Sequence, residues 1–272
     1  MNRQPALLLL LTALALTAQA LAAPSTPHIR IIEQGLDLPV AAEQRIRDGI
    51  ARIHAFYAQT GPLPPDLVLT IRVFGSRAEF LRHSPPAFQD VVISGLFFEQ
   101  SGEILVDGER TEEQIVKTAL HEASHQLLAS FAGPTPLWLN EGLAEYFEEL
   151  APERDGAVIH AQFTRDDIVR SSLWDRSLAP LPLSLFFDAE AWQRLSDDER
   201  QHVRNIAWSL FYYLMEDAQR RERVVNMLAD LHHPETLSDA ELLMRLSPDG
   251  MTLLLEAQWR DFLLRSRQPH GL

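Results

Sequence analysis

Two histidines stand four residues apart at His121 and His125, with Glu122 directly after the first. Positions i and i+4 lie on the same face of a helix, so both imidazoles can reach one metal ion. The Glu122 carboxylate then lies close enough to accept a proton from a water molecule at that metal. These residue types at this spacing predict metal-assisted hydrolysis, with the metal as Lewis acid and the carboxylate as general base.

A second segment offers carboxylates that can complete the metal site. Glu141 and Glu145 follow the histidines and share one helix face, because they are also four residues apart. One of them can be the third ligand, while the other accepts a hydrogen bond from the second ring nitrogen of a ligand histidine. The spacing leaves open which carboxylate has which role. Since the chain has no cysteine, a zinc site must use histidine and carboxylate ligands, which favours catalytic over structural zinc.

The sequence around these residues resembles the gluzincin zinc metallopeptidases, whose third ligand is a distal glutamate. The nearer resemblance is to peptidase MA-like proteins, in which HExxH is followed at short range by a P-x-W-L-x-E-G-x-A-E segment. Residues 136–145 of this chain read PLWLNEGLAE. The resemblance covers residues 110–150 and extends more loosely through residues 67–107.

This resemblance implies a zincin-like α+β fold, one Zn²⁺ per chain and a peptidase that acts on a peptide or protein substrate. It implies that the metal ligands are His121, His125 and Glu141. It also implies that Glu122 is the general base and that Glu145 accepts a hydrogen bond from a ligand histidine. Two alternative functions stay open. A zinc amidase acting on a cell-envelope substrate would use the same ligands, and a non-catalytic binding protein could keep the fold without turnover.

Other polar residues have weaker signals. His202, Tyr212 and Tyr213 lie on a later predicted helix and are candidates to donate a hydrogen bond to a transition state, although packing is the expected role of such residues. His232 and His233 are expected at the surface. The sequence therefore leaves the group that stabilises a developing oxyanion unidentified.

The N-terminus has the pattern of a secretory signal peptide. Arg3 gives it a positive start, residues 6–18 are apolar, and small residues at 18–23 offer a cleavage site. The apolar stretch is short for a membrane span, and an uncleaved anchor is the alternative. We expect a signal peptide at 1–23 and an exported domain at 24–272, periplasmic or extracellular and without stable membrane insertion. The absence of cysteine fits a bacterial exported protein.

The composition limits the partners. The formal net charge is −14, with 46% hydrophobic residues, and it becomes −15 when Arg3 is removed with the signal peptide. A chain this acidic is a poor candidate for binding nucleic acid. Nothing in the sequence sets the oligomeric state.

The elements that must position the site follow from hydrophobic periodicity. We expect an α+β fold with a small mixed sheet at 24–110, a mainly helical part at 111–272, and the active site at their junction. Thr111 to Gln114 has the form of a capping box, which predicts a helix that runs to about Phe131. Thr135 is expected as the N-cap of a second helix that ends near Leu150.

The remaining elements are predicted with approximate bounds. If strand 103–107, which directly precedes the motif helix, is an edge strand, an extended peptide substrate can pair with it. A proline-rich connection is expected at 180–182. The strands are predicted at 28–33, 67–74, 91–99 and 103–107, and the other helices at 39–59, 76–83, 163–172, 197–219, 220–231 and 237–265.

Overall fold

The computed structural model confirms a mixed α+β fold, with the sheet in the N-terminal part. The predicted signal peptide and the proline-rich connection at 180–182 lie outside the residues that the structure describes. Within those residues, no helix combines the length and apolar character that crossing a bilayer would require. The described residues are 26–88, 93–153, 156–174, 196–233, 237–265 and 270–271.

Four strands form the N-terminal sheet, in the order β1-β2-β4-β3. Strands β1, β2 and β4 are parallel, and β3 runs antiparallel to β4. The turn at Gly102, where φ is +67°, folds the chain back so that β3 and not β4 is at the edge. Strand 103–107 pairs with a strand on each side, so the condition set above for peptide pairing with it is not met. The strands are β1 (His28–Gln34), β2 (Val68–Phe74), β3 (Gly95–Phe98) and β4 (Glu103–Asp107).

Helices cover both faces of this sheet. Helix α1 (Val40–Tyr57) and helix α3 (Glu112–Ala129) pack against one face and share the main hydrophobic core with it. Helix α2 (Arg77–His83) covers the other face, where Phe80 packs with Leu105. Burial on both faces explains why the central strands are rich in aliphatic residues.

The start of α3 confirms the predicted capping box. The Thr111 side chain accepts the backbone N–H of Gln114, and the Gln114 side chain accepts the backbone N–H of Thr111. Along the helix, Ala119, Ala123 and Leu127 are fully buried at intervals of four residues. Because these positions face the core, the two motif histidines lie on the opposite side of the helix, toward an open cavity.

Helix α4 (Leu137–Phe147) follows as predicted but begins one residue later than expected. Its N-cap is Pro136 rather than Thr135, and no side chain caps its first turn. A hairpin of two short strands, β5 (Leu150–Glu153) and β6 (Gly156–Ile159), comes next and was not predicted.

Five further helices and one short strand complete the described chain. The helix predicted at 237–265 is in fact two helices, because Pro248 and Gly250 form a 3₁₀ turn in which Asp249 has a φ of +54°. The elements are α5 (Phe163–Trp174), α6 (Asp197–Glu216), α7 (Ala218–Asp230), α8 (Asp239–Leu246), α9 (Thr252–Leu263) and β7 (His270–Gly271), which pairs with β6.

Helices α4 and α6 pack closely against each other beneath the cavity. The rings of Trp138 and Phe211 are stacked with their centroids 6.0 Å apart. At Gly142, a Cβ atom would lie only 2.4 Å from Cδ2 of Phe211, so the lack of a side chain permits this approach. The contact brings Glu141 on α4 next to Arg204 on α6.

Candidate metal centre

His121, His125 and Glu141 converge on one point. One potential ligand atom from each lies within 4.8 Å of the other two, and His121 Nε2 is 3.7 Å from Glu141 Oε2. A tetrahedral zinc ion with bonds of about 2.0–2.1 Å places its ligand atoms roughly 3.3–3.4 Å apart, so a small inward movement suffices. This group can therefore hold a metal ion. Of the two candidate carboxylates, Glu141 is the one that joins both histidines.

The second ring nitrogen of each histidine has an oxygen acceptor. His121 Nδ1 lies 3.1 Å from Glu148 Oε2, and His125 Nδ1 lies 2.8 Å from Asn140 Oδ1. Since these oxygens only accept, each neutral ring carries its proton on Nδ1 and presents the Nε2 lone pair for a metal. The prediction that Glu145 accepts this hydrogen bond was wrong; Glu148 does so.

Glu145 instead contacts Arg165, which extends from α5. One guanidinium nitrogen of Arg165 pairs with Glu145, and the other lies 3.0 Å from Glu148 Oε1. Gln162 adds a donor at 3.3 Å from the same Glu148 oxygen. His121, Glu145 and Glu148 also place ligand atoms within 4.8 Å of one another, but both carboxylates already pair with the Arg165 guanidinium. The group around Glu141 is thus the better cation site.

The ionisation of these groups reflects their burial and their pairing. Burial disfavours a charged His121, yet the hydrogen bond with Glu148 and the nearby Glu122 carboxylate outweigh it and raise the pKa of His121 to about 10. Burial also opposes ionisation of Glu148, but the bond from His121 holds the pKa of Glu148 below its usual value. Burial and the neighbouring Glu148 raise the pKa of Glu145. In the absence of a metal, a proton on His121 therefore compensates the carboxylates.

Glu141 is buried but lacks a hydrogen-bond donor. Its Oε2 atom is inaccessible to solvent and accepts no hydrogen bond, although Arg204 Nε lies 3.3 Å away. Burial opposes ionisation of Glu141, while His125, Arg204 and His121 together lower its pKa. An ionised carboxylate with a free oxygen lone pair beside two imidazole nitrogens is a donor set that suits zinc.

Glu122 occupies the position expected of a general base, at the wall between α3 and the edge strand. It is buried, and its Oε2 atom accepts the backbone N–H of Phe97 on β3 at 2.7 Å. Glu122 and Phe97 both line an open cavity of about 730 Å³. Apart from the histidines, the charged residues that line this cavity are five carboxylates and two guanidiniums, namely Glu99, Glu122, Glu141, Glu145, Glu148, Arg165 and Arg204.

The residues predicted as candidate hydrogen-bond donors to a transition state do not line the cavity. Tyr212 is in the core, where its ring centroid is 5.4 Å from that of Trp208, and Tyr213 donates a hydrogen bond to Gln258. His202 is half-buried and is not among the described residues that line the cavity. Packing is therefore the role that the structure supports for the two tyrosines.

His232 was expected at the surface and is instead half-buried. Its ring stacks on Phe131 at a centroid distance of 4.3 Å, and its Nε2 atom lies 3.1 Å from Thr60 Oγ1. This histidine therefore packs against the turn that follows α1, away from the metal centre.

Sequence reasoning missed Glu148, Asn140 and both cavity arginines. A signal for Glu148 did exist, because positions 141, 145 and 148 share one helix face. Asn140 lies inside the segment that carries the resemblance, and its type alone does not reveal a hydrogen bond to His125. Arg165 and Arg204 come from later helices, and no local pattern connects them with the motif.

Residues 115–236 match a protein family described as a protein of unknown function (DUF1570). The match covers less than half of the chain, but it includes the histidine motif and five of the charged residues around it, namely Glu141, Glu145, Glu148, Arg165 and Arg204. The family description names no activity. No curated protein matches the chain.

Proposed function

We propose that this chain is an exported zinc-dependent hydrolase, and specifically a metallopeptidase that cleaves peptide bonds. The observation that carries the proposal is the convergence of His121, His125 and Glu141 beside Glu122 in an open cavity. The charges support it as well. With both histidines neutral and the carboxylates ionised, the five carboxylates and two guanidiniums that line the cavity leave a negative net charge, which a bound cation would reduce.

In this proposal the side chains have different roles in the reaction. His121, His125 and Glu141 would hold the ion, which would polarise the scissile carbonyl and acidify the attacking water. Glu122 accepts the proton of that water and passes it to the leaving nitrogen. The hydrogen bond from Phe97 fixes one oxygen of Glu122, so the other oxygen is free to take the proton.

The position of β3 supports an extended peptide as the substrate. Residues 94–97 line the cavity, and β3 has a partner strand on one side only. The Phe97 N–H points away from β4 and toward Glu122. An extended peptide that pairs with the free side of β3 would run past the proposed general base.

Metal analysis tests the ligand set. Purified mature protein should contain close to one zinc ion per chain, and His121→Ala or Glu141→Ala should lose it. Glu145→Ala is the matched control, because Glu145 contacts Arg165 and lies one helical turn from Glu141. If Glu145→Ala loses zinc while Glu141→Ala keeps full occupancy, Glu145 is the third ligand and our assignment is wrong.

Turnover assays test the reaction. Glu122→Gln should keep its fold and its zinc but hydrolyse substrates about 10²–10⁴-fold more slowly, because an amide cannot accept the proton. Mixed peptides and cell-wall fragments should be assayed in parallel. Hydrolysis of cell-wall fragments alone would favour the amidase. Inertness toward both would favour a binding protein.

A further inference from the structure

One arginine of the cavity is only partly used by the protein. Arg204 Nε is buried and lies 3.3 Å from Glu141 Oε2, although the two atoms form no hydrogen bond. The side chain nevertheless remains 39% exposed, and its terminal nitrogens are not among the buried atoms that lack a hydrogen-bond partner. Among the described residues, these nitrogens have no hydrogen-bond or ion-pair partner. The guanidinium therefore has donors available to a molecule in the cavity.

Arg165 is engaged differently. Its two terminal nitrogens contact Glu145 and Glu148, and the side chain is only 20% exposed. Its donors are therefore directed at carboxylates of the protein. Of these two arginines, Arg204 is the one that can meet a substrate.

The location of Arg204 determines which substrate atom it meets. Its Nε atom is next to a carboxylate oxygen of Glu141, which converges with both histidines. The two terminal nitrogens of a guanidinium are about 2.3 Å from Nε by covalent geometry. Since Arg204 also lines the cavity, these donors can reach the oxygen of a carbonyl group held beside Glu141, and a guanidinium favours negative charge that develops there.

We infer that Arg204 stabilises the oxyanion that forms on the scissile carbonyl, and so supplies the donor that the sequence left unidentified. Water adds to the carbonyl carbon, the carbonyl π electrons move onto oxygen, and Arg204 donates hydrogen bonds to that oxygen while Glu122 takes the proton of the water. Collapse of the adduct restores the carbonyl and releases the amine, which receives the proton from Glu122. This role rests on the proposed function.

Binding of a stable mimic tests the inference separately from turnover. The probes are the blocked peptide acetyl-Ala-Phe-Leu-Ala-amide and its phosphinic analogue, whose tetrahedral phosphorus group carries the negative charge of the oxyanion. In calorimetry, Arg204→Met should bind the analogue about 100-fold more weakly than the unmodified protein, with affinity for the peptide nearly unchanged. Arg204→Lys should recover part of the loss. In kinetics, Arg204→Met should lower kcat by a similar factor and leave KM almost unchanged.

The control is Arg245→Met, because Arg245 pairs with Asp230 outside the cavity. Equal weakening of peptide and analogue, together with loss of zinc, would mean that Arg204 only orients Glu141 and would overturn the inference. A loss of affinity in Arg204→Met that is confined to peptides with a free terminal carboxylate would overturn the inference too. So would failure of the unmodified protein to bind the analogue. If the unmodified protein binds the analogue but hydrolyses nothing, the proposed function fails. The effect of Arg204→Met on affinity for the analogue, compared with its effect on affinity for the peptide, still decides whether Arg204 binds the negatively charged group.

Discussion

His121 contacts carboxylates through both of its ring nitrogens. Nε2 lies 3.7 Å from Glu141 Oε2, and Nδ1 lies 3.1 Å from Glu148 Oε2. A hydrogen bond from Nδ1 fixes the orientation of the ring and makes Nε2 a stronger ligand. Arg165 holds Glu148 in turn, at 3.0 Å from its other oxygen. The orientation of His121 on α3 thus depends on Glu148 and, through Glu148, on Arg165 of α5.

The structure predicts that Glu148 affects zinc affinity more than Glu145 does. Glu148→Met removes the acceptor for His121 and should weaken zinc binding about 10–100-fold. Glu148→Gln keeps an oxygen acceptor without the charge and should weaken it less. Zinc dissociation constants from competition with a chromogenic chelator provide the measurement.

The control is Glu149→Met. Glu149 is the next residue along the chain, and its carboxylate pairs with Lys117 at 2.7 Å, so its loss should leave zinc affinity unchanged. A larger effect for Glu145→Met than for Glu148→Met would contradict the observed hydrogen bond and return the positioning role to Glu145.

At the scale of elements, the approach of β3 to α3 sets the position of Glu122, the proposed general base. Gly95 lies against α3, where a Cβ atom would be 2.3 Å from Thr118 Cγ2 and 3.0 Å from Glu122 Oε1. Two residues later, Phe97 donates its N–H to Glu122. A glycine at position 95 is therefore needed for the hydrogen bond between the Phe97 N–H and Glu122.

Gly95→Ala should push β3 away from α3. We expect a loss of about 1–3 kcal/mol in the free energy of unfolding, as for other overpacked sites, and slower hydrolysis because Glu122 loses its donor. Thr118→Ser in the same chain removes the methyl group nearest the new Cβ and keeps the hydroxyl that bonds Ser94, so it should restore much of the stability. Urea unfolding measures both effects. A Gly95→Ala protein as stable and active as the original would show that β3 does not constrain Glu122.

Local signals explain which elements could be predicted. Helix α3 was predictable because its capping box and apolar spacing are properties of neighbouring residues. The hairpin β5–β6 was missed because each strand has only four residues and β5 contains Pro152, so neither shows a clear alternation. The same distinction between local signals and long-range packing applies to the candidate site. The motif residues and Glu141 belong to two adjacent helices, whereas the approach of Arg204 depends on the packing of α4 against α6, which no short stretch of sequence encodes.

At the scale of the whole molecule, the candidate site rests on an extensive apolar core. A single cluster of buried apolar residues extends from the sheet through α3 and α4 to the C-terminal helices. His121 and His125, the proposed metal ligands, are oriented by protein groups, since each has an acceptor for its Nδ1 proton. Both features favour a fold that does not need the proposed ion, which would enter a prepared site.

Removal of zinc should therefore lower the stability of the protein without unfolding it. A ligand at about 1,000 times its Kd adds roughly 4 kcal/mol to the free energy of unfolding, which raises Tm by about 8–16 °C in a domain of this size. We expect the chelated protein to keep its helical circular dichroism at 25 °C, to melt lower by about that amount, and to recover when free zinc is buffered back. A His121→Ala/His125→Ala protein is the control, and its Tm should respond to neither chelator nor zinc. Loss of helical signal on chelation at 25 °C would make zinc a structural element of the fold, while an unchanged Tm in the unmodified protein would argue against a metal centre at these residues.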